Sequence, residues 1–151
     1  MGIQNNADHD FYMARCIELA RIAKQRGNSP VGSLIVQDGQ IIAEGIEGGK
    51  TFKDIICHAE IEAIRQARIH LQPHDLSACI LYSTHEPCIS CSYIIRHHRI
   101  GMVVIGTATG EIGGYSSVYP VLLDQTIKKW GAPPIIITGI LENRCKELKG
   151  K

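Results

Sequence analysis

Two short segments carry residues whose types and spacing can do chemistry: His58-Ala59-Glu60 and Pro87-Cys88-Ile89-Ser90-Cys91. Two cysteines three positions apart lie on one face of a helix, so both thiolates can reach one metal ion, with His58 as a third ligand. Three protein ligands leave one tetrahedral position open, which is what separates a catalytic zinc from a structural one. Pro87 at the first helical position would place Cys88 at a helix N-terminus, where unpaired N–H groups and the helix dipole favour the thiolate. One imidazole and two thiolates neutralise the charge of Zn2+. Water in the open position is then less acidified than on an all-histidine zinc, and a nearby carboxylate becomes useful. Glu60, two residues past His58, is placed to take a proton from that water and return it to a leaving group.

The elements that must position these residues can be read from periodicity. From about Asp10 to Arg26, Phe11, Ala14, Ile17, Ala20 and Ile22 recur at helical spacing, and Gly27-Asn28 stops the helix. Ser33–Val36 and Ile41–Ala43 flank an Asp38-Gly39 pair and predict a hairpin. After a Gly-rich stretch from Gly45 to Phe52, a helix is expected from near Cys57 to His70. Ala78–Tyr82 reads as a buried strand, Pro87 to about His98 as a helix, and Met102–Ile105 as another buried strand. A Gly-rich loop from Thr107 to Tyr119 precedes a short helix ending near Trp130, a strand at Ile135–Thr138 and a last helix from Leu141. The expected fold is a single α/β domain over residues 1–151, a three-layer α/β/α arrangement around a mixed sheet of about five strands.

With 151 residues and 44% apolar side chains, the chain can bury one substantial core. Sixteen Lys and Arg against fifteen Asp and Glu create no field that would draw in nucleic acid or an anionic membrane nonspecifically. The polar start, Met1 to Asp10, has no apolar leader, and no apolar run approaches a membrane-spanning length. A soluble, cytoplasmic protein is expected. Of the six cysteines, Cys16, Cys57, Cys79 and Cys145 sit in apolar neighbourhoods and read as reduced core residues.

A lone Cys-x-x-Cys would be ambiguous among redox, zinc-ribbon and incidental readings. Here Pro87, Cys88 and Cys91 fall in helix-opening order after a helix that opens on His58-Ala59-Glu60, the H-x-E…P-C-x-x-C pattern of zinc nucleobase deaminases. The chain resembles the cytidine-deaminase-like superfamily, in the branch of bacterial tRNA adenosine deaminases, guanine deaminases and fungal-type cytosine deaminases. The resemblance runs from the first helix nearly to the end. It is carried by Pro30-Val31-Gly32, Ala43-Glu44-Gly45, His58-Ala59-Glu60-Ile61, Leu81 to Cys88 and Ile137 to Leu141. It implies hydrolytic deamination: water adds at the amino-bearing carbon of a heterocycle, and Glu60 moves protons until ammonia leaves. It also implies Val31 against the base, the Ala59 backbone bonded to the substrate ring, and a homodimer. A non-catalytic binding protein on the same fold would have no need of Glu60.

Three departures bear on the substrate. Eleven positions before the histidine, where these deaminases commonly use Asn to bond the base, stands Glu47, an acceptor only when ionised. The usual Pro-Thr-Ala before the histidine is Ile55-Ile56-Cys57, and after Leu148 there is no longer basic segment of the kind tRNA-acting members carry. These features favour a small-molecule heterocycle such as guanine or cytosine over tRNA, with tRNA adenosine-to-inosine editing as the alternative. Tyr115 and Tyr119 in the Gly-rich loop are candidates for stacking on a flat ring, Tyr115 foremost. His85 either faces the site or is a spacer, and His97-His98-Arg99 complements a helix C-terminus.

Overall fold

In this computed structural model the strands send alternate side chains into two apolar layers, and that alternation sets the architecture. The structure describes residues 6–71 and 75–149. Along the chain come α1 (Asn6–Gln25), β1 (Gly32–Gln37), β2 (Gln40–Ile46), a helical turn α2 (Gly49–Phe52), α3 (Ala59–His70), β3 (Ile80–His85) and α4 (Ile89–His97). There follow β4 (Met102–Thr107), two 3-10 turns (Val121–Leu123 and Lys128–Trp130), β5 (Ile135–Ile137) and α5 (Glu142–Glu147). One sheet runs in the order β2-β1-β3-β4-β5. β1 is antiparallel to both β2 and β3, while β3, β4 and β5 are parallel.

On one face Ile35, Leu81, Val103 and Ile105 pack with Ala63, Ile64 and Ala67 of α3 and Ile95 of α4. On the other, Leu34, Val36, Tyr82, Met102 and Val104 meet Met13, Cys16, Ile17 and Ala20 of α1, with Cys145 of α5 and Leu148 just beyond it. This is the expected three-layer α/β/α fold with five strands. The small residues of α3 let it lie close on the sheet: a Cβ added to Gly45 of β2 would collide with the carbonyl of Ala59 and the amide of Ala63. Cys16, Cys57, Cys79 and Cys145 are free and buried, as expected of core cysteines.

Three local expectations are corrected. The helix after Pro87 begins at Ile89, with Cys88 extended as its N-cap. The cause is that the stretch from Pro87 to Ile89 pairs with the Gly-rich loop: Gly114 N–H donates to the Pro87 carbonyl (2.8 Å) and Ile89 N–H to the Ile112 carbonyl (2.9 Å). The short helix ending near Trp130 is instead two 3-10 turns. The guanidinium of Arg96, 1% exposed, donates to the carbonyls of Val121, Leu122 and Gly131, so this segment makes only short 3-10 bonds of its own and satisfies part of its backbone on a side chain. Finally, the Gly-rich stretch contains α2, whose first amides, those of Lys50 and Thr51, are accepted by the buried carboxamide of Asn28 (3.0 and 2.9 Å). Asn28 therefore does more than end α1.

Candidate active site

The site forms where the start of α3 meets the start of α4, below the C-terminal end of β3. His58 is the N-cap of α3, extended (φ −78, ψ 149), and its carbonyl accepts the Glu62 amide, the helix's first bond (3.0 Å). Although Ile55-Ile56-Cys57 replaces the usual preceding residues, a turn closed by Asp54 still delivers His58 to the cap: Asp54 accepts the amides of Ile56 (2.9 Å, side chain) and Cys57 (3.1 Å, carbonyl). Cys88 caps α4, and Cys91 lies in its first turn, fully buried.

His58 Nδ1 lies 3.2 Å from Cys91 Sγ and 3.5 Å from Cys88 Sγ, and the two sulfurs are 3.6 Å apart. A tetrahedral zinc with ordinary Zn–S and Zn–N bonds spaces its sulfurs about 3.8 Å apart and sulfur from nitrogen about 3.6 Å. The donor set therefore fits the ion within a few tenths of an ångström, and these three residues could hold a metal. The three side chains compete among themselves for charge. A hydrogen bond from Cys91, against the cost of burial, and the proximity of His58 draw the Cys88 thiol down to about 3. The Cys91 thiol is pushed far up, first by that bond to Cys88 and then by burial. Bonding to Cys88 raises His58 to about 9. A divalent cation resolves this competition, since it binds neutral imidazole and two thiolates at once.

Glu60 sits behind the ligands at 4% exposure. The Ser83 hydroxyl of β3 donates to its Oε2 (3.0 Å), and Cys91 Sγ lies 3.7 Å from its Oε1. Burial raises its carboxyl to about 7, a range in which a group can both take and give protons near neutrality.

His58, Glu60 and Cys88 share a cavity of about 240 Å³ with Val31 and Glu47. Glu47 is half-buried; burial raises its carboxyl, opposed by the charge of His58 and by hydrogen bonding from the Ala59 and Gly49 backbone. The expected Glu47 and Ala59 contacts thus meet each other. Tyr115 lies elsewhere. It lines a separate cavity of about 230 Å³ between the C-terminal ends of β4 and β5, which among the described residues shares only Glu86 with the first, and it packs against the core under α3 and α4. Tyr119 is exposed and lines neither cavity. His85 does face the metal-site cavity, and burial lowers its imidazole to about 4.

Sequence reasoning missed Ser83, which holds Glu60, and Glu86, Thr109, Ile112 and Lys149, which also line the cavity. A signal existed for the first two. Ser83, Thr84, His85 and Glu86 form a polar run at the end of an otherwise apolar strand, and all four are buried. Such a run is costly unless each group has a partner.

Residues 6–107 match the family described as cytidine and deoxycytidylate deaminase zinc-binding region. A tRNA-specific adenosine deaminase of Aquifex aeolicus (strain VF5) is 34% identical over 129 residues, covering 83% of this chain and 85% of that protein. Its counterpart in Streptococcus pyogenes serotype M1 is 32% identical over 120 residues, covering 80% and 70%. Among solved structures, one from a study of A-to-I editing by tRNA:A34 deaminases superposes with a TM-score of 0.82 at 29% identity, over 91% of this chain and 98% of that one. The guanine deaminase of Bacillus subtilis superposes with a TM-score of 0.64 at 38% identity, over 66% and 64%. The metal-fitting donor set, the buried carboxylate beside it and these likenesses lead to one conclusion: this chain belongs to the cytidine and deoxycytidylate deaminase family, zinc-dependent hydrolases that deaminate nitrogen heterocycles.

Proposed function

We propose that this protein hydrolytically deaminates adenosine in tRNA, with His58, Cys88 and Cys91 holding zinc and Glu60 moving the protons. The observation that carries the substrate is the length of the likeness: the relatives named for tRNA adenosine deamination align over four-fifths of this chain or more. The preference for a free base drawn from the sequence gives way to that likeness. Zinc, when bound, supplies the Lewis acidity that activates water in the open position. Glu60 takes one proton as water adds to C6 and delivers it to the ring nitrogen; it then takes the remaining proton of the added hydroxyl and passes it to the amino group, which leaves as ammonia as the C6 carbonyl forms. Ser83 holds that carboxylate in place. Val31 forms the apolar side of the cavity, against a base. Tyr115, set in the neighbouring cavity, takes no part in this reading. The protein works in the cytoplasm, as a homodimer.

One observation favours a second reading. Glu47 occupies the cavity wall; when ionised it can only accept, so it suits guanine or cytosine, which present ring N–H groups, better than adenine, whose free ring nitrogens accept. Ammonia release from a tRNA anticodon stem-loop with a wobble adenosine, and from adenosine, guanine and cytosine, decides between them. The stem-loop is expected to give the highest kcat/KM. Guanine or cytosine ahead of it by tenfold or more would hand the site to the second reading, and Glu47→Gln should then erode that lead.

A further inference from the structure

Glu86 is 3% exposed, and four donors converge on its carboxylate. Oε1 accepts the Thr109 amide (3.1 Å) and the Ser116 hydroxyl (2.7 Å), while Oε2 accepts the amides of Tyr115 (2.8 Å) and Ser116 (2.7 Å). The main chain joins in: Glu86 N–H donates to the Thr107 carbonyl (2.8 Å), and the Thr109 hydroxyl to the Glu86 carbonyl. The loop lies so close that a Cβ on Gly113 would collide with the carboxylate. Beyond Thr107 this loop has neither helix nor strand until Val121, and apart from the short pairing of Ile112 and Gly114 with Pro87–Ile89 its amides have no ladder to satisfy them. Its inner residues Thr109 and Ile112 line the metal-site cavity beside Cys88.

We propose that Glu86 is a positioning residue whose carboxylate fixes loop 107–116 as a wall of the substrate pocket, setting substrate affinity without holding the metal or moving protons. That the wall meets substrate rests on the functional reading above; that Glu86 orders the loop does not. The geometry asks for an acceptor on both oxygens. Glutamine offers one oxygen and one NH2: an NH2 in the place of Oε2 faces two amides and loses both bonds, and one in the place of Oε1 can donate to the Ser116 hydroxyl but still sets donor against donor at the Thr109 amide.

The test uses the zinc-loaded protein with the anticodon stem-loop and guanine as substrates, together with amide hydrogen exchange, which needs no substrate. Glu86→Gln is expected to speed exchange at amides 109–116 roughly ten- to hundredfold while α3 and α4 stay protected. KM should rise by a similar factor, with kcat within about threefold and zinc content unchanged. Ser116→Ala, which removes one donor away from the metal ligands, should show the same pattern at roughly three- to tenfold, and should add little on top of Glu86→Gln because both act through one contact. A merely structural carboxylate would lower stability, zinc content and kcat together and leave KM in place; that result, or unchanged loop exchange in Ser116→Ala, overturns the proposal. If Glu86→Gln fails to fold, Ser116→Ala decides alone. If neither substrate turns over, the functional reading fails, while the exchange result still rules on Glu86.

Discussion

Glu60 and the metal ligands divide the chemistry between them, and single substitutions should separate the two jobs. Glu60→Gln keeps the side chain's size and its bond from Ser83 but removes the base. Turnover is expected to fall by about 10²–10⁴-fold with zinc content unchanged; near-normal turnover would mean that another group carries the protons. The native protein is expected to hold about one zinc per chain by elemental analysis, and Cys88→Ala and Cys91→Ala, which remove a ligand each, should both lose it. Retention of full zinc in both would refute the donor set. At this scale the sequence was informative because residue type and spacing already encode coordination: the i,i+3 cysteines and the His-x-Glu step survive into a cluster with tetrahedral spacing. The partners of these residues were not legible. Ser83 is 23 positions from Glu60, and nothing in either segment names the other.

Elements position the cluster through close packing as much as through caps. α3 delivers His58 and Glu60 because it lies almost in contact with β2 at Gly45, where a methyl group would meet the Ala59 carbonyl and the Ala63 amide. Gly45→Ala must push α3 outward or distort β2, an overpacking cost of about 1–3 kcal/mol. For a chain of this length that is a fall in Tm on the order of 3–10 °C, measurable by calorimetry. Turnover should fall with it, since Glu60 rides on the same helix; an unaltered Tm would show that the contact is slack. Pattern in the sequence found α1, the hairpin, α3 and the central strands, since these bury a periodic apolar face. It misjudged the start of α4 and the segment before Trp130. In both, backbone groups are satisfied by distant partners, the Gly-rich loop in one case and Arg96 in the other.

At the scale of the whole molecule, the described residues include no helix long and apolar enough to cross a membrane. The surface does carry large apolar side chains. Phe52 and Ile69, 70% and 75% exposed, flank one groove of about 410 Å³ along α3, and Ile55 is 88% exposed just beyond α2. Apolar groups gathered this way usually mark a contact surface. The homodimer reading therefore predicts a sedimentation mass near twice that of the chain, shifted toward the monomer by Ile69→Glu; a monomer at micromolar concentration would contradict it.

By itself, the sequence determined the sheet's two-sided burial, the order of its elements and the set of groups able to bind a metal and move a proton, because periodicity and ligand spacing are local properties. Only the tertiary structure decided which polar groups share the cavity. It brought Glu47 and His85 to the metal site and set Tyr115 in the neighbouring cavity. It also made Glu86 the anchor of a loop more than twenty residues away. Those outcomes depend on which strand ends and loops meet in space, and a buried hydrogen bond between distant segments leaves no period in the sequence that encodes it.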